Sequence, residues 1–314
     1  MAHYRQSFVP IKGAHPTSLA YYEWLPPAPS NGSALTPARG IVQLVHGMVE
    51  HLGRYDAFAH YLTEHRWIVV GADHRGHGLS ANENTPLGYF GDGVAWETVA
   101  EDIHHVRAFA QRRYPGLPHV VLGHSMGSML VREYLKMHSE GLAGAVIIGT
   151  ATWPKIGDVG LALARTLSKA APARPGKLLN ALAFGPYEKP FEHRTYFDWL
   201  NRDQAAVDKY VADPLSGYVA SNAFFRELLR GIKRINSRAA FEILPELALY
   251  IASGEVDPVG GAAAVTQVAR RYLTAGSTNV TEHIYPQARH EILNEINKAE
   301  VWADLLSWLE SIAK

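Results

Sequence analysis

The chain has 314 residues, with 30 Lys and Arg against 30 Asp and Glu, and no cysteine. Balanced charge argues against nucleic acid as a partner. The lack of thiols excludes a disulfide framework, thiol chemistry and thiolate metal sites. Hydrophobic residues make up 47%, enough to bury the core of one large α/β domain or two small ones.

The start, Met1-Ala2-His3-Tyr4-Arg5-Gln6, lacks the apolar core of a signal peptide. No run is long and apolar enough to span a bilayer, so a soluble, cytoplasmic protein is expected. Two strands are expected over 6–11 and 18–24, joined by a turn around Gly13-Ala14-His15-Pro16, as an antiparallel edge hairpin. Pro26-Pro27-Ala28-Pro29-Ser30-Asn31-Gly32-Ser33 reads as a loop. A compact apolar strand follows at 41–45 and runs straight into His46-Gly47-Met48, then a helix through Phe58, Tyr61 and Leu62. The freedom that Gly47 gives the backbone makes the Met48 amide a candidate oxyanion donor; the competing interpretation is a plain strand-end turn.

The next strand, 67–72, ends in Asp73-His74-Arg75-Gly76-His77-Gly78. Its two histidines beside an aspartate suggest a metal, but the spacing matches no His-Glu-x-x-His or related zinc signature. A tightly wound loop whose Asp, Arg and His bond to backbone groups is expected instead. An amphipathic helix over 96–114 places Val99, Ile103, Val106 and Ala110 on one face; its His104-His105 pair reads as a surface feature.

Val120-Val121-Leu122 then leads into Gly123-His124-Ser125-Met126-Gly127 and a helix over 128–138. This is G-x-S-x-G between a buried strand and a helix. A nucleophile on so sharp a turn needs small residues two positions either side, because side chains there would strike the neighbouring strand and helix. The turn lifts the Ser125 hydroxyl over the sheet and puts the Met126 N–H at a helix N-terminus, where it can face an oxyanion. The competing interpretation is a helix start with a serine near its N-cap.

A further core strand at 143–148 completes an alternation of strands and helices that implies a mainly parallel sheet covered on both faces. From about 150 to 244 the pattern is helical, broken at Arg174-Pro175-Gly176 and Gly185-Pro186 and rich in aromatics around Phe191, Tyr196, Phe197 and Trp199. An insertion of this size between sheet strands reads as a helical cap whose apolar residues form its core and in part line an acyl pocket. The sheet resumes at 247–252, followed by Ser253-Gly254-Glu255-Val256-Asp257-Pro258. Glu255 and Asp257 compete as the acid of a triad. Pro258 and Gly260 fix the turn around Asp257, which favours it over Glu255; the competing interpretation is an N-cap for the helix at 262–272. After a last strand at 279–285, His290 lies in a loop from which it can reach over the sheet toward Ser125; a helix over 298–313 closes the chain. Ser125, Asp257 and His290 follow the Ser…Asp…His order of the α/β-hydrolase arrangement.

The segments His46-Gly47-Met48-Val49-Glu50-His51 with Arg54-Tyr55, Asp73-His74-Arg75-Gly76-His77-Gly78, Gly123-His124-Ser125-Met126-Gly127, Asp257-Pro258-Val259 and Arg289-His290-Glu291 resemble the monoacylglycerol lipase and lysophospholipase family of serine α/β-hydrolases. Phe197-Asp198-Trp199-Leu200, Val207-Asp208-Lys209-Tyr210 and Asp213-Pro214-Leu215 carry the likeness into the cap. The resemblance implies an α/β-hydrolase fold, with a core over 1–149 and 245–314 and a cap over 150–244. It implies Ser125 as nucleophile, His290 as base, Asp257 as acid, and the Met48 and Met126 amides as the oxyanion hole. The implied substrate is a small lipid ester, with no metal or cofactor needed; the apolar density from Leu161 to Leu229 adds an expectation of transient membrane or micelle contact through the cap. Members often have a small residue where Met48 stands; a backbone donor survives that change, and the side chain reshapes the pocket. Lysophospholipase, short-chain carboxylesterase, peptidase, metallohydrolase and non-catalytic ligand receptor are the alternatives.

Overall fold

A computed structural model describes residues 3–27 and 37–313. The loop expected across Pro26 and the residues after it lies mostly outside them. The chain opens with β1 (His3–Ile11) and β2 (Thr17–Leu25), paired antiparallel. Strands and helices then alternate through β3 (Gly40–Val45), α1 (Asp56–Glu64), β4 (Trp67–Ala72), α2 (Trp96–Arg113), β5 (His119–His124), α3 (Met126–His138) and β6 (Gly144–Ile148). Four helices come before the next strand: α4 (Gly157–Ala170), α5 (Lys177–Phe184), α6 (Gln204–Ala212) and α7 (Asn222–Ile235). The chain ends with β7 (Ala248–Gly254), α8 (Gly261–Thr274), β8 (Val280–Tyr285) and α9 (Lys298–Ile312).

The eight strands form one sheet in the order β1-β2-β4-β3-β5-β6-β7-β8. β2 runs antiparallel to β1 and β4, and every other pairing is parallel. Strands β3 to β7 are buried along their whole length, as their Val- and Ile-rich sequences require of a sheet covered on both faces. Val121, Ala145, Ile147, Leu249 and Ile251 pack with Leu130, Val131 and Val268 on one face. The alternate residues Val120, Leu122, Val146 and Ile148 pack with Phe58, Leu62, Leu305 and Leu309 on the other. The chain steps outward from β3 to β4 and then returns to lay β5 on the other side of β3. The crevice between the carboxyl ends of β3 and β5 is therefore a topological switch point, where open α/β sheets bind ligands.

The loop after β4 is wound by its own polar groups. Asp73 accepts from the amides of Leu52 (2.9 Å) and Leu79 (2.8 Å) and from the Tyr22 hydroxyl (2.8 Å). Arg75 forks onto buried Asp102 at 2.5 and 2.8 Å. His46 Nε2 accepts from the His74 amide at 2.9 Å, and His74 Nε2 donates to His46 O at 3.1 Å. His77 Nδ1 donates to Arg75 O at 2.9 Å. Among the described residues no three His, Asp or Glu side chains converge as metal ligands. His104 and His105 are half-buried rather than on the open surface, and the His104 ring stacks on His138 at 4.0 Å.

The helices between β6 and β7 are tied down at both ends. Buried Arg132 of α3 donates to Ala151 O and Ile235 O, each at 2.8 Å, and burial pushes its guanidinium down to about 10. On α7, Glu227 accepts from the Trp96 amide at 3.0 Å, Arg230 forks onto Glu97 at 2.5 and 2.8 Å, and Arg234 bonds Glu133 at 2.8 Å. Among the described residues no helix is long and apolar enough to cross a membrane.

Burial holds the imidazoles of His74, His77 and His119 down, to about 3, about 4 and about 3. An unfolded histidine takes up its proton near 6.5, so as pH falls the unfolded chain binds protons before the folded one. Stability drops from about pH 6.5 downward, by up to about 1.4 kcal/mol per pH unit for each such ring. Urea midpoints are expected to fall steadily below pH 6.5. His119→Gln, remote from the switch point, is expected to flatten that slope by about one proton.

Candidate active site

Ser125 stands between β5 and α3, as the N-cap of the helix, with φ 54° and ψ −123°, a backbone that serine adopts only when its surroundings impose it. Here the Ser125 amide donates to Ile148 O at 2.9 Å, while Ser125 O accepts from Ser128 N at 2.9 Å and Ser128 Oγ at 2.6 Å. The flanking glycines explain why the pentapeptide folds this way. A Cβ on Gly127 would run into the carbonyl oxygens of Val45 and His46, and one on Gly123 into Gly127 O. The helix thus enters directly beneath the end of β3, and the Gly47 backbone lies beside the Ser125 side chain.

Asp257 is buried after β7. Its Oδ2 accepts from His290 Nδ1 at 2.9 Å and from Ser253 Oγ at 3.0 Å, and its Oδ1 accepts from the Val259 amide at 2.9 Å. Burial pushes this carboxyl up, but the His290 ring and these donors outweigh it and hold the group below the usual carboxylate range. Glu255, the competing acid, is exposed and accepts from the Gln287 amide at 2.9 Å. The helix that follows is capped at Gly260, not at Asp257. With Nδ1 donating to Asp257, His290 keeps its lone pair on Nε2. Met48 follows β3 and Met126 is the first residue of α3. Among the described residues neither amide donates to another backbone group.

Other functional positions were present in the sequence without a role attached. Gly149, just past β6, adopts φ +62°; a Cβ there would lie 3.0 Å from the His290 ring and 3.4 Å from Asp257 Oδ2. Its bare backbone makes room for the pair. A buried polar network joins three of the loops. Glu50 Oε1 accepts from the Gly47 amide at 2.5 Å and the Tyr55 hydroxyl at 2.7 Å. Arg54 bonds Glu50 Oε2 at 2.5 Å and forks onto Glu291 at 2.6 and 2.7 Å. His124 lies 3.5 Å from Glu50 Oε1 through Nδ1 and donates to His290 O at 3.2 Å through Nε2. Burial works against a charge on His124, but Glu50, Glu291 and the His290 carbonyl overcome it and raise the ring above its usual value. Burial likewise opposes ionisation of Glu50, which Arg54 and His124 reverse, so it is held well below its usual range. Two carboxylates thus meet the Arg54 guanidinium, with the His124 ring beside them. The charged types and their spacing were visible in the sequence; that Glu291 closes a bridge to Arg54, 237 residues away, was not.

The helical insertion meets these loops. Gly217 N and the Tyr210 hydroxyl donate to Val49 O at 2.9 and 3.2 Å, His51 pairs with Asp213 at 2.7 Å, and the Trp199 ring lies 5.1 Å from that of His290.

The family model described as serine aminopeptidase, S33, matches residues 36–297. A monoacylglycerol lipase of Mycolicibacterium smegmatis is 30% identical over 279 residues, covering 88% of this chain and 90% of that protein. The human monoglyceride lipase is 26% identical, over 82% of this chain and 81% of its own. A thermostable carboxyl esterase from Bacillus coagulans, solved with glycerol, superposes over 99% of both chains with a TM-score of 0.87 and 26% identity. Sheet order, switch point and matches together define an α/β-hydrolase. The chain belongs to the serine aminopeptidase S33 family, among its monoacylglycerol lipase-like members, and is a serine ester hydrolase.

Removing Arg54 leaves two buried carboxylates without their cation. Arg54→Met is expected to destabilise the fold by about 3–5 kcal/mol, seen as a lower urea midpoint, with Arg54→Lys recovering part of it.

Proposed function

We propose that this chain hydrolyses carboxylic esters of lipid-like alcohols, monoacylglycerols foremost, to an alcohol and a fatty acid through an acyl-enzyme on Ser125. The observation that carries this reading is the His290–Asp257 bond, on a loop that is hydrogen-bonded to the residue preceding a strained Ser125. Nε2 of His290 takes the Ser125 proton as Oγ attacks the ester carbonyl. Asp257 fixes the tautomer and stabilises the imidazolium, which then protonates the leaving alcohol. The Met48 and Met126 amides bind the oxyanion, an interaction whose loss typically costs about 10²–10³ in turnover. Water, activated by His290, releases the acid. These steps draw on protein groups and water alone.

Residues 150–244 act in this reading as a cap. Half-buried Met48, Trp153, Leu163, Phe184, Leu229 and Val259 pack on the core beneath it and suit an acyl chain. Similarity to proteins named monoacylglycerol lipase and to an esterase solved with glycerol supports the choice of substrate.

The test is release of glycerol and fatty acid from monoacylglycerols of graded chain length, wild type beside Ser125→Ala. Rates are expected to vary with acyl length and to fall about 10⁴-fold or more in the variant. Turnover confined to short p-nitrophenyl esters would make this a carboxylesterase, preference for lysophospholipids a lysophospholipase, and turnover of aminoacyl anilides alone a peptidase.

Ile156, Val159, Leu178 and Leu182 expose apolar surface at the start of α4 and on α5 and are suited to transient contact with a lipid surface. Because burying one such side chain is worth about 1.5–3 kcal/mol, Ile156→Asp is expected to slow hydrolysis of micellar substrate about tenfold more than that of dissolved substrate. Equal slowing would remove the surface-contact reading.

A further inference from the structure

The loop after β8 carries His290, 1% exposed, between two residues that leave the sheet for the helical insertion. On one side, Arg289 Nη1 donates to Asp198 O at 2.7 Å and Asn201 O at 3.2 Å, and Nη2 donates to Glu192 at 2.6 Å. Its guanidinium lies 4.5 Å from the Phe191 ring centre. On the other side, the Glu291 amide donates to Leu200 O at 2.8 Å. Glu295 completes the tie, accepting from the Arg289 amide at 2.9 Å and from Arg202 Nε at 3.0 Å.

These bonds hold one short stretch, a 3-10 turn at Asp198–Leu200 with Asn201 after it. Within it, Trp199 brings its ring against that of His290. Its indole lies 5.1 Å from the imidazole at 42° and is itself packed by Tyr187 at 5.2 Å and Phe184 at 6.2 Å. The imidazole also meets the His124 ring at 4.7 Å, and Asp257 holds its Nδ1. Asp257 fixes one edge of the ring. Rotation about that bond is limited by what covers the ring's faces.

We infer that Arg289 is a positioning residue for His290: by clamping Asp198–Asn201 to the loop of the base, it seats Trp199 against the imidazole and so sets the direction of Nε2. The inference rests on the assignment of His290 as base. Only arginine supplies a planar fork that reaches two carbonyls and a carboxylate together; lysine offers one point charge. A clamp of this kind couples the helical insertion to the chemical step itself, for every ester, whatever its acyl length.

The test compares Arg289→Met, Arg289→Lys and Trp199→Leu with wild type and Ser125→Ala on p-nitrophenyl acetate and on a long-chain monoacylglycerol. A misdirected base lowers kcat by about 10–100-fold on both esters while KM for the acetate stays within about threefold, and Arg289→Lys restores little of the loss. Thermal unfolding is followed in parallel, and kcat is referred to folded enzyme. Three results would overturn the inference: an unchanged kcat on the acetate with KM raised for the long ester alone, a kcat loss that vanishes once referred to folded enzyme, or full activity in Trp199→Leu. Ser125→Ala retaining hydrolysis of both esters would instead remove the underlying assignment of nucleophile and base, whatever Arg289 does.

Discussion

Arg54 stands between two carboxylates that belong to different loops, Glu50 after β3 and Glu291 after β8. The charges are buried, so their attraction is scarcely weakened by water, and the penalty for leaving any one unpartnered is severe. The rest of the site hangs on this constraint. Glu50 orders the Gly47 amide just before Met48, the proposed oxyanion donor, and His124, the residue before Ser125, is bonded to the His290 backbone. The proposed catalytic groups, which come from strands far apart in sequence, are thereby held to one another as well as to the sheet.

The sheet beneath does the coarser work. Gly123 and Gly127 let α3 pass under β3, Gly149 leaves space at the end of β6, and the order β4-β3-β5 opens a crevice between them. Each condition is local and steric. Together they set the placement that hydrogen bonds then refine.

Much of this was legible in the residues. Apolar runs located β3 to β7 to within a residue or two, and Gly123-His124-Ser125-Met126-Gly127 announced its turn because only glycine fits the contacts on either side. What the residues withheld was pairing at long range. Asp257 and Glu255 are two positions apart in one turn, and the sequence favoured the first through Pro258; in three dimensions Asp257 meets the imidazole while Glu255 caps an exposed amide. Trp199 read as one aromatic among several in the insertion, since nothing local marks which of them lands on His290. The His74 and His77 rings beside Asp73 suggested ligands by type, whereas His74 Nε2 and His77 Nδ1 are each taken up by a backbone carbonyl.

The backbone at Ser125 has a cost of its own. A non-glycine residue held at φ 54° and ψ −123° is destabilising by about 1–3 kcal/mol, a noticeable share of the 5–15 kcal/mol by which domains are stable. That conformation survives because the strand, the helix and Ile148 impose it together. With Ser125 as the proposed nucleophile, evolution toward greater stability and evolution toward turnover pull in opposite directions at this one residue. A glycine there would relax the chain and remove the hydroxyl, so any hardening of this protein has to come from positions outside the turn at Gly123–Gly127.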